Sequence, residues 1–268
     1  MGALFVCGLL LPAPLPAVAG CAAPRVDARV QVARVNDGDT VTLADGRRVR
    51  FIGLDTPEMN YGSGRPEPLA VQARDAVTAL LGPSRSLLLQ YGREREDRHG
   101  RLLAHPYLAD GRSLTAQLLE RGLAPALVYP PNLWNLDCYQ AAERRARTAR
   151  RGVWALAPFR PRPVGEYRGR SGHYGVVEGE VTAIARNRGG VWLTLDGHAT
   201  LQVAPEAQPH FDGCRFEALV GRAVRARGRL TRRGEHWRMR LRHPAQLEAA
   251  AGDGGSQAQC PLPAAAGS

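Results

Sequence analysis

The sequence predicts a mainly β fold with helices, of the α+β class, followed by a second small β-barrel. Strand-like and helix-like patterns alternate over residues 28–157. Residues 158–172 then read PFRPRPVGEYRGRSG, and the three prolines and four arginines are typical of a linker. Short strand patterns with glycine-containing turns return over residues 173–248 and predict the second barrel. We expect residues 249–268 to form a disordered tail.

The chain is strongly basic, which bears on its partners. It has 268 residues, with 36 Lys and Arg against 25 Asp and Glu, and a formal net charge of +11. Every one of these cations is an arginine. A guanidinium grips phosphate oxygens with two parallel hydrogen bonds, so the excess fits a polyanionic partner. A GC-rich genome explains the same bias equally well, and composition alone does not choose between the two.

The first 20 residues predict an export signal. Their apolar run, ALFVCGLLLPAPLPAVAG, is too short to span a bilayer and ends in small residues. Val18-Ala19-Gly20-Cys21 resembles a bacterial lipobox, in which Cys21 is lipidated and becomes the mature N-terminus. Cleavage after Ala19, as in ordinary secretion, is the alternative. Both predict export from the bacterial cytoplasm, either as a membrane-anchored lipoprotein facing the periplasm or exterior, or as a secreted protein.

The remaining cysteines would lie in a compartment that permits disulfides. Cys138, Cys214 and Cys260 are odd in number, so one disulfide and one free thiol is the simplest outcome, with the pairing left open. Without a lipid on Cys21, two disulfides become possible.

The stretch NDGDT, at residues 36–40, places two aspartates around a glycine just before a strand. Like charges this close repel each other unless a cation lies beside them. Either the pair forms a solvated turn, or it binds a cation.

A hairpin brings a third acid towards this pair. Asp45-Gly46 predicts a two-residue turn, in which Val41 faces Arg50. Asp39 and Asp55 then lie on adjacent strands, on the order of 10 Å apart. Strand twist or a bulge could close that gap.

The second strand of the hairpin ends in DTPE, which adds oxygen donors. Proline ends the strand ladder and leaves the Thr56 carbonyl free to bind a ligand. Asp39, Asp55 and this carbonyl form an all-oxygen set that suits Ca²⁺. Glu58 is close enough in sequence to hold a water molecule. Further along, the polar turn at 97–101 offers Arg101 as a second cation, beside Arg50, for holding a phosphate.

Three segments, NDGDTVTL, VRFIGLDTPE and DRHGRLLAHPYL, resemble the active-site segments of the staphylococcal-type nucleases, or thermonucleases, in order and spacing. The resemblance continues through PLAVQARDAVTALLG, SLTAQLLERGLA and AAERRARTARRGVW, and covers roughly residues 28–157. It implies an OB-fold five-stranded barrel with three helices. It also implies calcium-dependent hydrolysis of DNA and RNA that leaves 3′-phosphate ends.

The resemblance also implies a role for each matched residue. Asp39 and Asp55 match the calcium-binding carboxylates, and Thr56 matches the carbonyl ligand. Glu58 matches the carboxylate that acts as general base or orients water. The phosphate-binding arginines correspond to Arg50 and Arg101, and positions near the family's nucleotide contacts, with altered chemistry, are Arg98, His99 and Tyr129.

These assignments lead to an expectation for the two arginines. Replacing Arg50 or Arg101 by lysine should lower turnover with little loss of fold, because an ammonium cannot reproduce the bidentate grip.

The second barrel also looks OB-like. VTAIARNRGGVWLTLDG repeats the strand, turn and strand of VARVNDGDTVTLADG, but it reads NRGGV in place of NDGDT and so lacks the two aspartates of that turn. Tyr174, Trp192 and Trp237 are candidates for stacking on bases, with core packing as the alternative.

The predicted function is therefore a secreted or membrane-tethered nuclease acting on DNA and RNA, preferably single-stranded, with no obligate protein partner. The alternative is a non-catalytic nucleic-acid-binding envelope protein. Against that alternative stands the retention of the acids and arginines of the site, namely Asp39, Asp55, Glu58, Arg50 and Arg101.

Overall fold

A computed structural model describes residues 21–62 and 64–250. Its N-terminal unit is built on five strands that pair in the order β1-β2-β3-β5-β4 and close into a barrel. Strands β3 and β5 run parallel, and the other neighbours run antiparallel. The closed five-stranded barrel confirms the predicted fold class. The strands are β1 (Ala28–Val35), β2 (Thr40–Leu43), β3 (Arg48–Phe51), β4 (Ser86–Glu96) and β5 (Leu102–Tyr107).

Three helices pack on this barrel: α1 (Ala70–Leu81), α2 (Leu114–Glu120) and α3 (Leu136–Thr148). Helix α1 buries one stripe of residues at helical spacing, as an amphipathic helix on a core does. Helix α2 begins where the Ser113 side chain accepts a hydrogen bond of 3.2 Å from the Ala116 amide. The α+β character predicted for residues 28–157 is thus present.

The turn between β2 and β3 differs from the predicted two-residue turn. The Leu43 amide donates to the Arg47 carbonyl (2.8 Å), so Ala44, Asp45 and Gly46 form a three-residue turn. Gly46 has a φ of +85°, in the left-handed region that glycine adopts without strain.

This longer turn shifts the register of the hairpin by one residue. Thr40 pairs with Arg50, and Val41 pairs with Val49. The prediction that Val41 faces Arg50 was therefore wrong. Val41 and Val49 are both fully buried, so the observed register keeps two apolar side chains together, whereas the predicted one would oppose valine and arginine.

The second unit consists of seven strands with their own hydrophobic core. Strand β10 pairs with both β7 and β11, so five strands form a cycle, β7-β8-β9-β11-β10, with β9 and β11 parallel. This cycle repeats the pairing order and directions of the first barrel. The strands are β6 (Arg162–Pro163), β7 (His173–Asn187), β8 (Gly190–Leu195), β9 (Ala199–Val203), β10 (Ala223–Arg233), β11 (His236–Leu241) and β12 (Leu247–Ala249).

The segment expected to be a linker, residues 158–172, makes contacts of its own. Val164 and Tyr167 are buried in the second core, and β6 lies along β7. The division of the chain into domains stays a prediction. The expected signal segment lies outside the described residues, as does the expected tail beyond residue 250, although β12 reaches Ala249.

A buried ion pair joins the two units. Glu143 of α3 is fully buried and accepts hydrogen bonds from Arg227 of β10 and from the Ala126 amide (2.7 Å). Beside it, Arg147 holds Glu248 with two hydrogen bonds, of 2.8 and 3.0 Å. Charged side chains from α3 therefore fix the second unit against the first.

Cys21 is bound to Cys138 in a disulfide, with their Cα atoms 5.6 Å apart. A sulfur engaged in a disulfide cannot carry a thioether-linked lipid, so the expected lipidation of Cys21 is corrected. Cys214 is disulfide-bonded as well, which replaces the expectation of one disulfide and a free thiol. Among the helices of the described residues, none is long and apolar enough to span a membrane.

We expect peptide mass spectrometry of the non-reduced protein to find a peptide pair linked through Cys21 and Cys138. Cys138→Ser should lower the free energy of unfolding by about 3–5 kcal/mol, since the disulfide closes a long loop. A diacylglycerol on Cys21 would contradict the disulfide.

We expect Arg227→Met to lower the free energy of unfolding by about 3–5 kcal/mol, because it leaves the Glu143 carboxylate buried without its cation. Adding Glu143→Gln should recover part of that loss. Chemical denaturation measures both variants, and an Arg227→Met protein as stable as the parent would show that the pair does not hold the units together.

Candidate active site

The NDGDT loop lies between β1 and β2 and is shaped by its glycine. A Cβ atom on Gly38 would lie 2.6 Å from Thr56 Cγ2 and 2.7 Å from Ala73 Cβ, so no larger residue fits without displacing them. The Asp37 carboxylate accepts a hydrogen bond of 3.0 Å from the Asp39 amide. The loop can therefore lie directly against Thr56 and helix α1, with Asp39 buried.

Asp39 binds the segment that follows β3. Its Oδ2 accepts hydrogen bonds of 2.9 Å from both the amide and the hydroxyl of Thr56. Its Oδ1 accepts one from the Thr40 hydroxyl at 3.0 Å. Residues 17 positions apart are thus joined at one carboxylate.

Arg50 lies between the two aspartates that the sequence singled out. Its Nη2 is 3.2 Å from Asp39 Oδ2 and 3.1 Å from Asp55 Oδ1, while Nη1 donates to the carbonyls of Phe51 (2.8 Å) and Leu54 (3.0 Å). The predicted gap of roughly 10 Å between the aspartates is therefore closed, since both contact one nitrogen.

Asp55 has a second cationic partner that sequence reasoning missed. Arg229 of β10 donates from Nη2 to Asp55 Oδ2 at 2.8 Å and to Oδ1 at 3.1 Å. The two residues are 174 positions apart. The alternating pattern AVRARGRL places Arg229 on the polar face of a strand, but no local signal in the sequence indicates where that face docks.

Two further carboxyl groups have altered proton affinity here. Partial desolvation by the surrounding protein atoms, and then the charges of Asp39 and Asp55, raise the pKa of Glu58, although the residue remains accessible to solvent. Burial and the neighbouring Asp39 raise the pKa of Asp37 to about 7. A carboxylate with a raised pKa is a stronger base, which suits Glu58 to accept a proton from water.

Arg101 is fixed by the turn that precedes β5. Its Nε donates to Asp97 Oδ2 at 2.7 Å, and its amide donates to Asp97 Oδ1 at 3.0 Å. Its side chain remains a quarter exposed. The guanidinium is thus oriented by one acid and still accessible to a ligand.

A cleft of about 770 Å³ runs between the first barrel and the second unit. Arg50, Asp55 and Arg101 line it. The expected substrate residues line the same cleft: Arg98, His99 and Tyr129. Arg98 donates to the His99 ring (3.2 Å), and the Arg242 guanidinium lies 4.5 Å from the centre of the half-exposed Tyr129 ring.

The oxygen atoms near Asp39 are the kind of ligand that a hard divalent cation prefers. Within residues 21–62 and 64–250, no three His, Cys, Asp or Glu side chains form a metal-binding cluster. A metal here would rest on the two carboxylates of Asp39 and Asp55, the Thr56 carbonyl and water, which is the oxygen chemistry that Ca²⁺ accepts. The Thr56 carbonyl accepts no hydrogen bond from the described residues, so it is available to a cation.

The family model described as staphylococcal nuclease homologue matches residues 48–156. That range contains Arg50, Asp55, Thr56, Glu58 and Arg101 and begins after Asp39.

Individual relatives extend the match. A thermonuclease of Staphylococcus intermedius is 36% identical over 126 residues, covering 46% of this chain and 74% of that protein. Endonuclease YncB of Bacillus subtilis is 34% identical over 135 residues, and the match covers 48% of this chain and 63% of the length of YncB. A thermonuclease of Staphylococcus hyicus is 31% identical over 128 residues, and the match covers 47% of this chain and 75% of that thermonuclease.

The contacts of Arg50 change the expectation that lysine there would leave the fold intact. In chelator, we expect Arg50→Lys to lower the free energy of unfolding by about 2–3 kcal/mol, because it loses the carbonyl contacts and the shared carboxylate contact. Arg101→Lys, with one partly exposed acid partner, should cost less than about 1 kcal/mol. Denaturation curves of the two variants that superimpose would contradict this difference.

Proposed function

This chain belongs to the staphylococcal nuclease family, and from that premise we propose that it is a calcium-dependent nuclease that cleaves DNA and RNA and leaves 3′-phosphate ends. The relatives named thermonuclease and endonuclease support nuclease activity. The observation that carries the finer proposal is Arg50, whose Nη2 contacts both Asp39 and Asp55 beside an open cleft.

The proposed roles follow from the chemistry of phosphodiester hydrolysis, in which negative charge builds up on the phosphate oxygens. Arg50 and Arg101 would hold the phosphate, because fixed guanidinium groups stabilise that charge more in the transition state than in the ground state. Asp39, Asp55 and the Thr56 carbonyl would hold calcium. Calcium, when bound, supplies further positive charge at the scissile phosphate.

Glu58 would position the attacking water and accept its proton. The raised pKa of this group supports the assignment, since general bases work best when their pKa approaches the operating pH. Arg98, His99 and Tyr129 would contact nucleotides on the wall of the cleft, and their exposure leaves them accessible to a single strand.

We also propose that the protein is exported and works without a lipid anchor. The disulfide between Cys21 and Cys138 supports an oxidising compartment outside the cytoplasm.

We expect the purified protein to cleave single-stranded DNA and RNA in calcium and to lose this activity in EDTA. Glu58→Gln should lower turnover by about 10²–10⁴-fold, because the amide cannot take the proton. Product ends should resist polymerase extension until a phosphatase removes the 3′-phosphate. Gel analysis of end-labelled oligonucleotides measures all three.

Asp39→Asn is the companion variant, with Asp45→Asn as its matched control because Asp45 is an exposed acid in the same hairpin. Only the first should lose calcium-dependent cleavage while remaining folded. Full activity in EDTA would reject the metal assignment, and binding of oligonucleotide without cleavage under any metal would favour a non-catalytic binding protein.

A further inference from the structure

The outward face of strands β10 and β11 carries an unusual density of arginine. Along β11, Trp237, Met239 and Leu241 point into the core, so the alternate residues point outward. Thr231 of β10 pairs with Arg238 of β11, which brings the outward residues of both strands onto one surface. The outward arginines of this surface are Arg225, Arg227, Arg229, Arg233, Arg238 and Arg240, with Arg242 just after β11.

One end of this surface is neutralised by carboxylates. Arg225 Nε donates to Glu178 Oε1 at 2.6 Å. Arg227 pairs with the buried Glu143, and Arg229 holds Asp55. These contacts account for the docking of the second unit on the nuclease barrel.

The remaining arginines of this surface have no such carboxylate partners among the described residues. Arg233, Arg238 and Arg240 form no ion pair with any carboxylate in the part of the chain that the structure describes. Arg238 and Arg240 instead donate to the same side-chain oxygen of Gln202, with Arg240 Nε at 3.3 Å. Burial, followed by repulsion from Arg240 and Arg233, lowers the pKa of Arg238. Three like charges thus lie close together without an ion-pair partner among the described residues.

This uncompensated cluster faces the proposed active site. Arg233, Arg238 and Arg240 line the same cleft as Arg50 and Arg101, on the opposite wall. Arg238 also lies 4.5 Å from the centre of the Trp192 ring, next to the cleft. A strand that leaves the phosphate site therefore meets arginines from both units in one cleft.

We propose that Arg233, Arg238 and Arg240 bind the phosphate backbone of a single-stranded polynucleotide on nucleotides that flank the bond being cleaved. The proposal rests on the proposed nuclease function and extends its substrate contacts into residues outside the family match. It makes the protein selective for long strands over short fragments. A concave cleft that leads to the site favours a polynucleotide over a flat lipid surface, since the arginines lie within its walls.

The matched variants are Arg233→Gln/Arg240→Gln and Arg215→Gln/Arg222→Gln. All four residues are exposed, and both doubles remove two charges from the second unit, but Arg215 and Arg222 do not line the cleft. Arg238 is kept because it packs on Trp192. We expect both double variants to have the same thermal melting temperature as the parent protein.

The first measurement is fluorescence anisotropy of a labelled oligo(dT) in EDTA, which needs no catalysis. Loss of Arg233 and Arg240 should weaken binding about tenfold and reduce the slope of log affinity against log salt by about 1.4, as expected for two lost phosphate contacts to a single strand. The control double should bind like the parent. Equal binding by all three proteins, or equal weakening in both doubles, would overturn the proposal.

The second measurement compares substrates under calcium. The cleft double should raise KM for the oligonucleotide about tenfold while leaving kcat unchanged. It should leave both constants unchanged for a mononucleotide p-nitrophenyl phosphodiester, which reaches only the catalytic residues. A parent protein that binds oligo(dT) through this surface without cleaving it would refute the nuclease function alone. A cleft double that loses affinity for anionic phospholipid vesicles but keeps oligonucleotide affinity would assign the surface to lipid and overturn the proposal.

Discussion

Arg50 reaches two acidic side chains through a single nitrogen, and the site is arranged around that contact. Asp39 and Asp55 are largely buried, so their charges would repel strongly without a cation between them. The cation must be held in place, which the carbonyls of Phe51 and Leu54 do. Gly38 is required because the loop that carries Asp39 touches Thr56. Each of these local features follows from placing two carboxylates beside one guanidinium.

Arginines of the second unit also pair with acids of the first unit. Some arginines of one strand face form these pairs, whereas Arg233, Arg238 and Arg240 form no ion pair with a carboxylate of the described residues. The ion pairs between Glu143 and Arg227 and between Asp55 and Arg229 therefore join the two units whose surfaces form the cleft. The excess of arginine in the sequence was ambiguous between genomic bias and a polyanionic partner, and the concentration of unpaired arginines along one cleft favours the second interpretation.

Short-range patterns in the sequence predicted most of the first unit. Alternating strand-like and helix-like patterns predicted a unit of strands and helices, and the resemblance to the staphylococcal-type nucleases implied that its strands close into a five-stranded barrel. The acidic residues Asp39 and Asp55 follow from motifs of a few residues. The hairpin register was wrong by one residue because Ala44 joins the turn, which only the packing of Val41 against Val49 decides. Arg229 could not be found, since its contact depends on how two units dock. Cys21 was assigned to a lipobox on four residues, whereas its partner Cys138 lies 117 positions away.

The central claim is that Asp39 and Asp55, beside Arg50, form one calcium site. Isothermal titration calorimetry of Ca²⁺ into the nucleic-acid-free protein tests it without relying on cleavage. We expect one binding event in the parent protein and in Asp45→Asn, and none in Asp55→Asn that retains the parent's circular dichroism spectrum. Unchanged calcium binding by a folded Asp55→Asn protein would contradict the account.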